Sequence, residues 1–224
     1  MITLHGFAAS NYYNLVKHVL LYKQIPFQEH LVYGGSEALS AINPAAKVPV
    51  ITTENEQHIA ESSVICDFLE ETYPNIPLYP KAASERALVR QIMKTAELYL
   101  ELPSRRLLRY AFTGKQAPEA LKKEIKQTLS RGITAMKQLC QFSPWIAGEQ
   151  FSMADIYVYY VNTVVYAMGE NQLEWDPLAE LPEIALWRDS MAQSQITQTI
   201  ETARQANMPE FLQKLQQQFN AASA

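Results

Sequence analysis

The hydrophobic pattern of the chain changes once, near Pro74. Before this point, short strand-like runs alternate with amphipathic helical runs in the order β-α-β, a connecting segment, then β-β-α. Residues 74–83 carry three prolines, and every later run has helical spacing. The sequence therefore predicts a small α/β domain over residues 1–78 and an all-helical domain over 84–224, with 74–83 as the linker.

The second domain is predicted to be a helical bundle. Prolines separate runs in which apolar residues recur at the spacing of a helix. The predicted runs are 84–112, 119–142, 153–168 and 183–204. Pro103 lies inside the first run and is expected to kink it, because its nitrogen has no hydrogen to donate.

Glycine content and net charge argue against two classes of ligand. The chain has 7 glycines in 224 residues, where average usage would give roughly 16. None of them forms a G-x-G-x-x-G or Walker-type loop, so a nucleotide-phosphate cradle is not expected. The net charge of −4 is opposite to the basic footprint of nucleic-acid-binding proteins. We expect no nucleic-acid partner.

Cysteine usage and hydropathy indicate a cytoplasmic protein. Cys66 and Cys140 cannot form a disulfide framework, and each is expected to be a small core residue rather than a nucleophile. The most apolar stretch, 153–168, is too short and too polar for a membrane span, and the N-terminus has no signal-peptide pattern. We expect no membrane partner.

Two common kinds of catalytic centre are also not expected. The histidines at positions 5, 18, 30 and 58 show no metal-ligand spacing, and neither cysteine completes a zinc site. The sequence therefore predicts no metal site. It also lacks the G-x-S-x-G pattern of a nucleophile elbow.

The junction between the first strand and the first helix holds one candidate functional residue. Ser10 stands where a serine commonly caps a helix by accepting a backbone N–H. A hydroxyl at the same place could instead donate to a bound thiolate and lower the pKa of that thiol, since a helix N-terminus favours negative charge. From this segment alone, capping is the favoured interpretation.

Two further junctions could together bind a small peptide. Pro49 begins a strand, and a cis Val48–Pro49 bond would turn the Val48 amide and carbonyl outward toward an extended ligand. An ordinary strand entry is the alternative. Before the third helix, Ser62 or Ser63 is expected to be the N-cap. Free amides there could receive a carboxylate, and Glu61 could hold an ammonium group.

These segments resemble the soluble glutathione transferase family in motif and order. The matching features are Ser10 after the first strand, Asn43-Pro44-x-x-Lys47-Val48-Pro49, Glu61-Ser62-x-x-Ile65, and residues 145–156, which fit G-x-x-[FL]-[ST]-x-A-D. From its residues, the last segment is a capping box with Ser152 as N-cap and Asp155 at N3, so its role is stability. The resemblance spans residues 1 to about 205.

The resemblance implies a thioredoxin-like α/β first domain, an all-α helical-bundle second domain and a homodimer. It implies that Val48 pairs with the cysteinyl part of glutathione and that Pro49 is the cis-proline. It further implies that Glu61 and Ser62 hold the γ-glutamyl end and that Lys47 lies near the glycyl carboxylate. Glutathione is then a co-substrate, and no other cofactor is expected.

By the same resemblance, Ser10 is the activating residue of a serine-type enzyme. The segment Ser10-Asn11-Tyr12-Tyr13-Asn14 matches no single class, so Asn11, Tyr12 or Tyr13 remain alternatives for stabilising the thiolate.

The predicted second-substrate pocket includes Tyr12 and three residues of the 84–112 run. Tyr99, Arg106 and Tyr110 would share a face of one long helix, where they could bind apolar electrophiles and favour an anionic group. Packing at a domain or dimer interface is the alternative for these three.

The leading functional hypothesis is an enzyme that activates glutathione to attack small hydrophobic electrophiles, as in detoxification. Glutathione-dependent reduction of peroxides or disulfides would use the same site. A non-catalytic binding or regulatory protein of the same fold is the third hypothesis.

Overall fold

A computed structural model describes the backbone of residues 1–221 and the side chains of residues 1–217. Contacts divide the chain into two compact units. The first joins Met1–Leu78 with Ser194–Phe211, and the second joins Tyr79–Gln193 with the described residues from Leu212 onward. The predicted domain limits stay a prediction, and residues 222–224 of the second predicted domain lie outside the described part.

The first unit contains a four-stranded mixed sheet in the order β2-β1-β3-β4. Strand β2 runs parallel to β1, whereas β3 is antiparallel to both β1 and β4. The elements are β1 (Ile2–Gly6), α1 (Asn11–Tyr22), β2 (Phe27–Leu31), α2 (Glu37–Ile42), β3 (Val50–Thr52), β4 (His58–Ala60) and α3 (Ser62–Thr72). This order confirms the predicted β-α-β and β-β-α halves and the α/β, thioredoxin-like class of the first domain.

The alternation of side chains in the strands explains how both faces of the sheet are used. Leu4 pairs with Ile51, so both side chains point to one face, and both are fully buried. Helices α1 and α3 contact each other and the sheet. On the opposite face, Val50 packs with Val32 and with Leu39 of α2. The sheet is therefore covered by helices on both faces.

A buried ion pair links helices α1 and α3 to the segment that ends at Leu78. Lys23, at the end of α1, places its Nζ 2.6 Å from Glu70 of α3 and also donates to the carbonyl of Ile76 at 2.7 Å. The Glu70 carboxylate accepts the backbone N–H of Leu78 at 3.1 Å. The pair therefore connects two helices to the segment that ends the α/β part of the unit.

The second unit is helical, and within the described residues its extended pairing is limited to the bridge between Trp145 and Gly148. Its α-helices are α4 (Ala83–Ala96), α5 (Leu102–Arg105), α6 (Leu108–Phe112), α7 (Glu119–Leu139), α8 (Met153–Met168) and α9 (Pro182–Ala192). This composition confirms the all-α class of the second domain. No described helix combines the length and the apolar character that crossing a membrane requires.

The predicted run 84–112 is not one helix. Helix α4 continues as a π-helical turn over Glu97–Glu101, then α5 and α6 follow with a break between them. Pro103 cannot donate a helical hydrogen bond, which explains an irregularity in this region. Gly132 of α7 packs against the π-helical turn so closely that a Cβ there would lie 2.8 Å from the Cβ of Tyr99.

The predicted run 183–204 is also wrong as a single helix. Helix α9 ends at Ala192, and α10 (Gln195–Ala221) begins after Ser194. The Ser194 hydroxyl accepts the N–H of Thr197 at 3.1 Å, so it caps the new helix.

Candidate functional site

The strand register brings the three predicted segments to one end of the sheet in the first unit. His5 of β1 pairs with Val50 at the start of β3, and Val50 pairs with Ala60 at the end of β4. The loop after β1, the residues before β3 and the residue after β4 therefore leave the sheet at the same end.

Ser10 is the N-cap of α1. Its side-chain oxygen accepts the N–H of Tyr13 at 3.4 Å, and the first turn of α1 contains no acidic residue. A serine hydroxyl can accept and donate at once, so this weak cap leaves the Ser10 proton available to a ligand. The structure confirms the capping role, and the functional role stays a prediction.

The Tyr13 hydroxyl is bound by a carboxylate of β2. It donates to the carboxylate of Glu29, which also accepts from Lys17 at 2.8 Å. Burial raises the pKa of the Tyr13 phenol strongly, and the hydrogen bond to Glu29 adds to this. Tyr13 is therefore a poor alternative for stabilising a thiolate. Asn11 is buried and Tyr12 is half-buried, and both remain alternatives.

The residues before β3 form a compact loop built on Asn43. The buried Asn43 side chain donates to the carbonyl of Lys47 at 2.9 Å and accepts the N–H of Ala45 at 3.1 Å. The Val48–Pro49 bond is cis, as expected for the peptide-binding interpretation. The Val48 side chain packs against the core around Val50, while the Lys47 side chain is exposed.

The residue before α3 has an unusual backbone conformation. Glu61 has φ 66° and ψ 115°, occupies the N-cap position and makes no side-chain cap hydrogen bond. A positive φ in a residue other than glycine is strained, and such residues cluster at ligand sites. Ser62 is the first helical residue, so the expectation that Ser62 or Ser63 is the N-cap is wrong. The Glu61 side chain therefore does not serve as the acceptor for the first amides of α3.

The predicted second-substrate residues of the 84–112 run lie in the second unit and do not share one regular helix. Tyr99 is in the π-helical turn, Arg106 lies between α5 and α6, and Tyr110 is in α6. The prediction that they share a face of one long helix is therefore wrong. Arg106 donates to Glu124 of α7 at 2.6 Å, so its charge is already paired.

The two cysteines are not activated. Burial raises the pKa of the Cys66 thiol strongly and raises that of Cys140 to about 12. Both thiols are therefore held protonated at neutral pH, in keeping with the prediction that neither is a nucleophile.

Three histidines meet on one face of the sheet, a cluster that the sequence analysis missed. His5 contacts His30 with 2.9 Å between their Nδ1 atoms, and its Nε2 lies 2.7 Å from Thr52, which in turn contacts His58 at 3.0 Å. Burial, together with the two neighbouring histidines, lowers the pKa of His5 to about 4. No group of three or more His, Cys, Asp or Glu in the described part of the chain could hold a metal ion.

Several residues that contact the Ser10 loop were not predicted from the sequence. Phe7 stacks on Tyr33, which follows β2, and on Phe211 of α10, with ring centroids 4.8 and 5.2 Å apart. Asn207 of α10 accepts the N–H of Ala9 at 3.0 Å. These pairs are distant in sequence, and only the aromatic character of Phe7 and Tyr33 offered a signal.

The first unit is a thioredoxin-like α/β unit with a cis-proline before β3 and a serine at the first helix. The same chain also forms an all-helical unit. Together the two units define the architecture of a glutathione transferase. The family model described as Glutathione S-transferase, N-terminal domain, matches residues 4–77, and the model of the C-terminal domain matches residues 91–195. The chain belongs to the glutathione S-transferase family.

Individual relatives agree with this assignment. The chain is 36% identical to a glutathione S-transferase of Pseudomonas putida over 96% of this chain and 98% of the relative. It is 30% identical to a probable maleylacetoacetate isomerase of Caenorhabditis elegans over 62% of this chain and 64% of the relative. The fold is also similar to the solved structure of a maleyl pyruvate isomerase, a bacterial zeta-class glutathione S-transferase, with a TM-score of 0.71 and 23% identity. That match covers 88% of this chain and 95% of the solved chain. The predicted enzyme class, glutathione transferase, is confirmed.

Proposed function

We propose that this glutathione transferase binds glutathione at the sheet end described above and that Ser10 stabilises its thiolate. The observation that carries the proposal is at the N-terminus of α1, where the Ser10 hydroxyl accepts only the long 3.4 Å hydrogen bond from Tyr13 and no acidic side chain occupies the first turn. The Ser10 O–H and the positive end of the helix would then both favour a thiolate over a thiol.

The expected gain follows from the acid–base equilibrium of a thiol. A free thiol with a pKa of about 8.5 is about 3% ionised at pH 7, and lowering its pKa by about two units raises that fraction to about 75%. The bound thiolate sulfur then attacks an electrophilic carbon, a carbon–sulfur bond forms, and the leaving group departs with its electron pair. Binding both reactants adds the advantage of proximity.

The remaining predicted residues fit the parts of a γ-glutamyl peptide. The cis Val48–Pro49 junction would present the Val48 backbone to the cysteinyl residue, and Lys47 would attract the glycyl carboxylate. The absence of a side-chain cap hydrogen bond from Glu61 supports binding of the γ-glutamyl carboxylate at the start of α3 by Ser62, with Glu61 holding the ammonium group.

Aromatic side chains near Ser10 support an apolar second substrate. The Phe7 carbonyl accepts the N–H of Ser10 at 3.0 Å, and the Phe7 ring stacks on the rings of Tyr33 and Phe211. Such a surface favours small hydrophobic electrophiles. The participation of Tyr12, Tyr99, Arg106 and Tyr110 stays a prediction.

Glutathione-dependent isomerisation of a maleyl compound is a second candidate activity. It is favoured by the relative named as a probable maleylacetoacetate isomerase. The same thiolate would add to the conjugated double bond, the resulting single bond would rotate, and the thiolate would leave, so that glutathione is not consumed.

Binding and turnover assays test these proposals. We expect the protein to bind glutathione in a calorimeter and to conjugate it to a general aryl halide, with halide released in equal amount. Parallel assays use a hydroperoxide, a mixed disulfide and maleylacetoacetate as acceptors. Turnover of only a peroxide or disulfide would favour the reductase hypothesis, and turnover of only the maleyl compound would favour the isomerase.

The binding assay separates enzyme from binding protein. Glutathione binding without turnover of any acceptor would favour a non-catalytic protein, and absence of glutathione binding would contradict the proposed site. The homodimer, the cytoplasmic location and the role in detoxification stay predictions, and light scattering of the purified protein tests the first.

A further inference from the structure

The loop that carries Ser10 is held from both sides by asparagine side chains of the first unit. Asn14 of α1 donates to the carbonyl of Ala8 at 2.8 Å. Asn207 of α10 accepts the N–H of Ala9 at 3.0 Å. The first contact is local in sequence, whereas the second comes from a residue 198 positions away. Two consecutive loop residues therefore have their backbone groups bound by different helices.

The Asn207 amide is itself oriented by a second hydrogen bond. Its Nδ2 donates to the hydroxyl of Tyr33 at 2.9 Å, which fixes Oδ1 toward Ala9. The Tyr33 hydroxyl is also hydrogen-bonded to Glu210, one turn further along α10. The orientation of Asn207 is thus set by a chain of side chains.

Aromatic packing supports the same contact. Phe7, at the start of the loop, stacks on the rings of Tyr33 and Phe211. Pro209 stands inside α10 and has no N–H for the carbonyl of Gln205. Residues 207–211 therefore meet the Ser10 loop through both a polar and an apolar contact.

We propose that Asn207 is a positioning residue for catalysis, which holds the Ala8–Ser10 loop so that the Ser10 hydroxyl faces the thiolate of bound glutathione. This inference rests on the proposed function. Asn207 acts through the loop and not on the sulfur. A misplacement of about 1 Å at a catalytic group can lower a rate by about 100-fold. Because Asn14 still holds Ala8, we expect a smaller loss, about 10-fold, when Asn207 is replaced.

The test uses Asn207→Leu, which has similar volume and neither polar contact. We expect kcat for aryl halide conjugation to fall about 10-fold and the pKa of bound glutathione to rise by about one unit, with little change in glutathione affinity. Gln205→Ala is the matched control, because it removes an amide from an exposed position of the same helix, and it should leave both values unchanged. Tyr33→Phe keeps the bond to Ala9 and should have a smaller effect than Asn207→Leu.

A double-mutant cycle with Ser10→Ala separates positioning from a general structural role. If Asn207 acts through Ser10, Asn207→Leu should change kcat and the bound-thiol pKa by less than twofold in the Ser10→Ala background. An equal loss in both backgrounds would overturn the proposal.

Hydrogen exchange distinguishes failure of this inference from failure of the proposed function. In the absence of glutathione, the Ala9 amide should exchange at least tenfold faster in Asn207→Leu than in the wild type. Unchanged exchange would overturn the contact itself. Faster exchange with unchanged kcat would overturn the positioning role, while a wild type without glutathione activity would overturn the proposed function on which that role depends.

Discussion

Helices α1 and α8 both have a serine as N-cap, yet the two N-termini differ in which groups bind that serine. At α8, the Ser152 N–H and hydroxyl donate to Asp155 at 2.9 and 3.1 Å, and both residues are buried. The same carboxylate accepts from the backbone of Ile146 and from the indole of Trp187, each at 2.8 Å. This confirms the predicted capping box. At α1, Ser10 is half-buried and no acidic residue occupies the first turn.

The difference shows that two helices with the same N-cap residue can differ in the charge of their first turn. At α8 the protein supplies its own negative charge, so an incoming anion would be repelled and find its donors occupied. At α1 the negative charge is missing, and the same physical effect can act on a bound group. The charge in the first turn of a helix is therefore more informative than the N-cap residue about whether an anion could bind there.

The largest expected effect is the loss of the carboxylate at α8. Asp155→Ala leaves several buried donors without an acceptor, so we expect the free energy of unfolding to fall by about 4 kcal/mol. Urea unfolding followed by tryptophan fluorescence measures this. Asp176→Ala removes an exposed carboxylate that accepts one N–H, from Leu178, and should lose only about 1 kcal/mol. Equal losses in the two variants would contradict the inference that several buried donors depend on the Asp155 carboxylate.

The next effect is on catalysis at α1. Ser10→Ala should lower kcat for conjugation about 100-fold, as loss of one donor to a developing or bound anion commonly does, and should leave glutathione affinity nearly unchanged. The control is Ser36→Ala, since Ser36 caps α2 in the same unit by accepting the Leu39 N–H at 3.3 Å. Both variants should lose about 1 kcal/mol of stability. If Ser10→Ala keeps full activity, Asn11 or Tyr12 becomes the better candidate.

We expect low pH to lower the stability of the unit that contains α1. His18, inside α1, is 2% exposed, and burial lowers its pKa to about 4. The unfolded chain therefore binds a proton at higher pH than the native protein, and stability is lost as the pH falls from about 6.5 toward 4. For His18 alone, we expect about 2 kcal/mol between pH 7 and pH 5.

The measurement is urea unfolding at several pH values, for the wild type and for His18→Gln. The variant should show a shallower dependence between pH 7 and pH 5, with the remaining slope attributable in part to His5, whose pKa is also lowered to about 4. Helix α8 contains no histidine. Identical slopes in the two proteins would show that His18 does not titrate in this range.

The smallest effect is the loss of the serine at α8. Ser152→Ala keeps the backbone N–H that donates to Asp155 and removes only the hydroxyl, so we expect a loss of about 1 kcal/mol in stability. Its kcat should match that of the wild type, unlike that of Ser10→Ala. Calorimetric unfolding measures the stability of the variant, and the conjugation assay measures its kcat. A lower kcat in a fully folded Ser152→Ala variant would contradict the proposed difference between Ser10 and Ser152.

Local patterns predicted much of the first unit because its short elements follow simple periodicities. The alternation in Ile2 to His5 and the Ser10, Asn43 and Glu61 junctions correspond to elements and loops of the structure. The cap after Ala192 was missed although Ser194 is a common capping residue, because the apolar spacing continues across it.

Contacts between distant residues could not be predicted in this way. Tyr99, in the irregular turn at Glu97–Glu101, lies close to Gly132 of α7, and nothing in the sequence near Tyr99 signals that approach. The contacts of His5 with His30, and of Ala9 with Asn207, depend on the register of a sheet and on a helix that follows much later in the chain. Neighbouring residues carry no information about such pairs.

The composition of the first unit from two chain segments has a consequence during synthesis. Met1–Leu78 emerges from the ribosome first, but Ser194–Phe211 follows only after Tyr79–Gln193 has been made. At about 5–20 residues per second, this interval lasts roughly 6–23 seconds. A sheet that forms during that time has Phe7 and the Ala9 amide without their partners on α10, so the Ser10 loop can reach its final conformation only after Ser194–Phe211 has been made.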